Sequence, residues 1–240
     1  MLHRRLSKPL AVGAAVVVMG GGALGIVSAT SSNGSAGAST GQTTTAVSAA
    51  KPGFAAKGGS NARSGPAEGG VVGTVSSVST SSFTVSTSGG QKVTVKQASS
   101  TTYRKGTSSA SASAITTGAP VLVLGTANGT TITATQVAVQ PASSGPTTYT
   151  PSKAVSFQRG APSTAKQDGQ VPANYTEGSG TIVSGTTADK ATTAALAAYP
   201  GGVVDRVVQL SNGEYEVHNN GVNWPHHVFV SASFQVVGAN

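Results

Sequence analysis

The strongest constraint on how this chain folds is a strict alternation of apolar and polar residues between positions 82 and 96. Phe83 and Val85 alternate with hydroxyl residues, and after a Gly-Gly pair Val93 and Val95 alternate with lysine and threonine. A period of two places successive side chains on opposite faces of a strand, and the two glycines suit a tight turn. The pattern predicts a β-hairpin with one buried face.

Apolar runs on both sides of this hairpin predict further short strands. They cover residues 71–78, 119–125 and 130–139. The alternation slips between Val75 and Val78 and again between Ala134 and Val137. Such slips indicate β-bulges, which bend a sheet. Residues 70–140 are therefore predicted to form a small OB-like all-β barrel.

The last sixty residues have a different pattern. Thr186, followed three positions later by Asp189, resembles a capping box, and alanines then recur at helical spacing until Pro200. Three strands are predicted after this helix, at residues 203–210, 214–219 and 227–237. One helix on a three-stranded antiparallel sheet makes residues 180–240 an α+β module, so the fold class is mainly β with more than one domain.

Residues 1–29 have the pattern of an export signal. Three basic residues precede a long run without charge, and Val27 and Ala29 are compact enough for a signal peptidase to cut before Thr30. An uncut segment of this length would instead anchor the chain in a membrane. Both alternatives place the protein outside the cytoplasmic membrane, secreted or in the cell envelope, with membrane contact only through an uncleaved segment.

Two low-complexity linkers are expected between these parts. Residues 30–69 are mostly Ser, Gly, Thr and Ala, and such a stretch buries too little apolar surface to offset its conformational entropy. We expect a disordered spacer there. Residues 141–179 are rich in proline, which favours extended backbone, and they are expected to form a stiffer linker.

Composition restricts the available chemistry. The chain has no cysteine, seven carboxylates and four histidines, and its formal net charge is +8. Disulfides, thiol nucleophiles and Cys-based zinc sites are excluded. No nucleophile, base and orienting group fall together on predicted helices or strands, so we expect neither an enzyme nor a cofactor.

Two segments resemble known families. AALAAYPGG, NGEYEVH and VFVSASFQVVG, all between Ala188 and Gly238, resemble the PepSY-like domain of exported actinobacterial-type proteins. That resemblance implies protein contacts, with an exported peptidase or another envelope protein as the partner. The segment between Gly70 and Pro141, with GTVSSVSTSSFTVSTSGGQKVTV and GTTITATQVAV, is less closely similar to a family of small exported bacterial barrels of unknown function.

The C-terminal hairpin contains the candidate partner-binding residues Glu214, Glu216, His218 and Trp224. The first three share one face of a strand by alternation, and that face is expected to be solvated. Trp224 has two alternatives: it packs on the helix as core, or it projects as a contact residue, because tryptophan is enriched at interaction hot spots.

Three histidines lie in the same hairpin, His218, His226 and His227. A metal site with Glu216 nearby is conceivable if His218 lies opposite His227. Adjacent histidines on a strand point to opposite faces, so at most two of the three join. An ordinary polar hairpin without metal is the expectation.

A basic patch is predicted on the barrel. Its members are Lys92, Lys96, Arg104 and Lys105, and the sequence between Gly70 and Pro141 contains no carboxylate.

The sequence as a whole predicts one of two functions. The protein is a non-enzymatic exported protein whose PepSY-like module contacts proteins and restrains a peptidase, or it is a binding module that holds an anionic wall polymer or polysaccharide on the basic barrel. Nucleic acid is not expected, because the patch lacks aromatic stacking platforms.

Overall fold

The structure is a computed structural model and describes residues 65–140, 154–159 and 166–240. The predicted signal peptide lies outside the described residues. So do all of the predicted spacer except its end and much of the proline-rich segment. The last three residues of the predicted spacer, 67–69, already belong to the first strand.

The alternating segments form a closed five-stranded β-barrel, as predicted. The strands of this region are β1 (Ala67–Val78), β2 (Ser82–Ser86), β3 (Lys92–Lys105), β4 (Ser108–Ala110), β5 (Pro120–Asn128) and β6 (Thr131–Val139). The barrel closes in the order β1-β2-β3-β6-β5-β1, with β3 and β6 parallel and the other pairs antiparallel. The short strand β4 only extends the edge of β3.

The barrel core consists of the inward-facing members of each alternating segment. Phe83, Val85, Val93 and Val95 are all buried there. The register shifts between Val75 and Ser77 and between Leu124 and Gly125, opposite the slip predicted near Ala134, so both predicted bulges are confirmed. A third shift in β3, between Gln97 and Thr102, was not predicted.

The α-helix α1 (Gly185–Ala198) packs on β1 and on the sheet that follows it in the chain, while residues Ala112–Ala114 form one turn of 3-10 helix. Its buried face contains Ala188, Ala191, Ala195 and Leu196, in agreement with the predicted helical spacing of the alanines. The predicted capping box is wrong, because the N-cap is Ser184 and its side chain makes no capping hydrogen bond.

The strands of this region are β7 (Val155–Ser156), β8 (Asp168–Gly169), β9 (Thr181–Ile182), β10 (Val203–Gln209), β11 (Tyr215–Asn220), β12 (Val222–Trp224), β13 (His227–Val230) and β14 (Val236–Ala239). The main sheet runs β10-β11-β13-β14-β8, while β12 pairs with β7. The single strand predicted at 227–237 is wrong, since the chain turns between Ser231 and Gln235 and pairs β13 with β14.

Backbone pairing joins the barrel to the C-terminal sheet. Gly70 and Val71 of β1 lie opposite Val204 and Val203 of β10. A side chain at Gly69 would place its Cβ 2.0 Å from the Val204 carbonyl oxygen, so the close approach of the two strands requires glycine there. The predicted division into modules at 141–179 stays a prediction, although one continuous sheet contains strands of both.

We expect Gly69→Ala to lower the free energy of unfolding by about 1 to 3 kcal/mol, the usual cost of overpacking. Because the clash lies at the β1–β10 pairing, the unfolding transitions followed by circular dichroism and by Trp224 fluorescence should shift together. Gly65→Ala is the control, since nothing lies within 4 Å of its Cβ position. Separate transitions for the two signals would contradict a shared cooperative sheet.

Candidate functional site

The four predicted basic residues all lie on β3 and all are exposed. Lys92 and Lys96 alternate with the buried Val93 and Val95, so both point outward from the barrel. The rise over the four residue steps from Lys92 to Lys96 is about 13 Å. Arg104 lies on the same outer face beyond the bulge, since its neighbour Tyr103 packs against the core.

Hydroxyl side chains surround this row. Ser86 lies opposite Lys92 and accepts a hydrogen bond from its ammonium group at 2.9 Å, while Ser82 lies opposite Lys96. On the other side, Thr133 of β6 lies opposite Lys96. Strands β2, β3 and β6 contain no Asp or Glu. The outer face of these three strands, here called the basic face, is therefore positively charged and rich in hydroxyl groups.

Aromatic rings are turned away from the basic face. Phe83 is buried in the barrel core. The half-buried Tyr103 donates a hydrogen bond from its hydroxyl to the Gln97 side chain at 2.8 Å, and burial raises its pKa, with a hydrogen bond to Thr101 acting in the opposite direction. Within the described strands of the barrel, no aromatic ring is placed to stack on a ligand at the basic face.

Trp224 adopts the packed alternative. It is 6% exposed, its ring meets Tyr199 edge to face with centroids 5.5 Å apart, and its indole N–H donates to the Lys166 carbonyl at 2.6 Å. Tyr199 lies just after α1 and donates its hydroxyl to Asp168 at 2.7 Å. Burial, and then this hydrogen bond, raise the pKa of Tyr199. An exposed Trp224 contact is therefore not observed.

The expectation that this face of β11 is solvated is wrong. Glu216 is only 2% exposed, and it lies 3.8 Å from the guanidinium of Arg206, which is fully buried. The reason is a covering segment: Tyr175 packs on Phe229 of β13 with centroids 4.9 Å apart and shields this side of the sheet. Of the predicted carboxylates, Glu214 is only partly buried, near the Asn212 turn.

Two histidine–carboxylate pairs lie side by side on this face. The Nδ1 atom of His218 is 2.6 Å from Asp205, and the Nδ1 atom of His227 is 2.8 Å from Glu216. His218 and His227 are direct cross-strand partners, and their ring centroids are 5.4 Å apart. We call Asp205, His218, Glu216 and His227 the histidine–carboxylate cluster.

Tyr175 and His226 border the histidine–carboxylate cluster. The Tyr175 hydroxyl is 3.0 Å from Nδ1 of His227, and its pKa is raised by burial and then by the charge of Glu216. Removal of water from part of the His226 ring lowers its pKa, and the charges of His218 and His227 lower it further. Among the described residues, no group of three or more His, Asp or Glu side chains is arranged to hold a metal.

The sequence pattern did not identify Asp205 as part of this cluster, nor Arg206 and Tyr175 as its neighbours. Asp205 and Arg206 interrupt an otherwise apolar strand, and buried charges in such a position need partners. That interruption of an apolar strand was the sequence signal that Asp205 and Arg206 have buried, charged partners. Tyr175 had no such signal, because it lies among polar and proline residues.

A cavity of about 510 Å³ lies between α1 and the barrel. Its apolar lining includes Val72, Leu122 and Leu196, with Gln140 and Thr193 among its polar residues. Its lining contains no charged side chain. The cavity meets the basic face at Ser86, which belongs to both, and shares no residue with the histidine–carboxylate cluster.

Comparison with known proteins gave no match to a family model, a curated protein or a solved structure. The PepSY-like and barrel resemblances therefore stay predictions. In the part of the chain that the structure describes, no helix combines the length and apolarity needed to cross a membrane.

We expect Trp224→Ala to lower the free energy of unfolding by about 3 to 5 kcal/mol, as for other buried aromatic truncations. The native emission of Trp224 should be blue-shifted and resist an aqueous quencher, because the ring is buried. Phe157→Ala is the control: its ring is 51% exposed, so a change within about 0.5 kcal/mol is expected from chemical denaturation. Red-shifted, readily quenched emission would contradict the packed position.

Proposed function

We propose that this protein is an exported, non-enzymatic binding module that holds an anionic polysaccharide on the basic face of its barrel. The observation that carries the proposal is the alignment of Lys92, Lys96 and Arg104 along the outer side of one strand. Lys105, the last residue of β3, is exposed but alternates onto the side of the strand that Tyr103 occupies, so it adds charge without belonging to this row. The proposed ligand is a linear polymer with carboxylate or phosphate groups.

Charge distribution supports this ligand. The barrel, residues 67–139, contributes four cations and one carboxylate, Glu68 near the start of β1, whereas residues 180–240 contain two cations and four carboxylates. A surface of one sign attracts a polymer of the opposite sign and speeds its association. The barrel is therefore the part of the described chain whose charge favours binding of an anionic polymer.

The arrangement of the barrel supports a polymer in particular. Five-stranded barrels of the OB type bind oligonucleotides and oligosaccharides across their second and third strands. Here the cations lie on the third strand, beside the hydroxyl groups of the second. This comparison is an analogy at the level of the fold. Single-stranded nucleic acid fits less well, because its bases require stacking rings.

The predicted export segment would bring the protein to the compartment that contains such polymers. A protein outside the cytoplasmic membrane meets the anionic polymers of the envelope, and the predicted spacer at 30–69 would let the barrel reach them. Protein contacts through the PepSY-like segment are the other function that the sequence predicts. They have less support from geometry, because Trp224 and Glu216 are buried.

We expect Lys92→Gln/Lys96→Gln to weaken binding of the full chain to oligogalacturonate, a carboxylate-bearing polysaccharide. Removing two cations from the contact surface reduces counterion release, so the plot of log affinity against log salt should become shallower by roughly 1 to 2 units. Fluorescence anisotropy of labelled oligomer between low and moderate salt measures this slope.

Arg159→Gln/Lys166→Gln is the matched control, because both side chains are exposed and the change in net charge is the same. This control should keep the wild-type slope, and neutral dextran should not bind. Equal losses in the two double variants would show that net charge alone causes binding, and the proposed role of the basic face would be rejected.

A further inference from the structure

We propose that His218 and His227 bind one divalent transition-metal ion through their Nε2 atoms. The site lies on the C-terminal sheet and is independent of the polysaccharide proposed for the barrel. Its protein ligands are two imidazoles from neighbouring strands, and water completes the coordination. Nickel, copper and zinc are the ions that imidazole ligands suit.

The hydrogen bonds of the two rings involve Nδ1 and leave the Nε2 atom of each ring available to bind a metal. Each Nδ1 atom lies at hydrogen-bond distance from a carboxylate, Asp205 for His218 and Glu216 for His227. In a neutral ring Nδ1 then carries the proton and donates it, so Nε2, across the ring, has a free lone pair. Metal-binding histidines almost always have this kind of carboxylate or carbonyl partner behind them.

The separation of the two rings fits a shared ion. A zinc ion about 2.0 to 2.1 Å from an imidazole nitrogen stands about 3.2 Å from the centre of that ring. Two such rings at a tetrahedral angle have centres about 5.2 Å apart. The centroids of His218 and His227 are 5.4 Å apart without any movement of the backbone.

Access and charge also favour a cation. The side chains of His218 and His227 are 16% and 13% exposed, so an ion can reach the rings from solvent. Behind them, the buried charged groups of the described chain are two carboxylates, Asp205 and Glu216, and one guanidinium, Arg206. A cation at Nε2 interacts favourably with the excess of buried negative charge.

The test uses the full chain and zinc chloride. In the wild-type protein with ¹⁵N-labelled histidine, added Zn²⁺ should shift the Nε2 resonances of His218 and His227 while both Nδ1 atoms keep their protons. Magnesium should have no effect, because Mg²⁺ prefers oxygen ligands. Zinc bound through Nδ1, or no response of these two rings to zinc, would overturn the proposal.

Calorimetry on variants adds a second readout. His218→Gln and His227→Gln should each weaken zinc binding at least tenfold, since removing even an outer partner of a metal ligand commonly costs 10- to 100-fold, roughly. His226→Gln is the matched control and should bind as the wild type does. An equal loss in His226→Gln would refute the two-ligand site, and the wild-type resonances decide the matter if either ligand variant does not fold.

Discussion

The architecture depends on the close approach of β1 and β10. Only glycine at position 69 lets the two backbones meet, since any Cβ would contact the Val204 carbonyl. The pairing extends the barrel into the C-terminal sheet through Gly70 and Val71. Strand β3 is separated from this junction by β2 on one side and by β6 and β5 on the other. The basic face is therefore left open while the opposite side of the barrel is occupied.

The C-terminal sheet shows how a polar side chain becomes buried without losing its partners. One face is covered by α1, and the other is covered around Phe229 by Tyr175. Glu216 and Arg206 lie under that second cover, 3.8 Å apart. Removing one member of a buried ion pair typically costs about 3 to 5 kcal/mol, so these charges constrain the sheet strongly. The histidines at its margin stay partly accessible.

Residue pattern alone predicts the barrel well, because each of its strands buries one face and period two determines which face. The residue pattern fails at the strand predicted over 227–237, because the apolar alternation continues through a turn. Phe234 fits the alternation, yet its backbone has φ of 60° and the chain reverses there. The basic row on β3 is predictable for the same reason as the barrel. The position of Glu216 is not, because burial depends on Tyr175, which no apolar pattern connects to the sheet.

The proposed polymer-binding site lies on the outside of β2, β3 and β6. Backbone amide chemical shifts of the full chain, recorded while oligogalacturonate is added, test it most directly. If the polymer binds the basic face, the shifts should be concentrated at Lys92, Lys96, Arg104 and their cross-strand neighbours. Shifts confined to residues 203–239, with β3 unchanged, would contradict it.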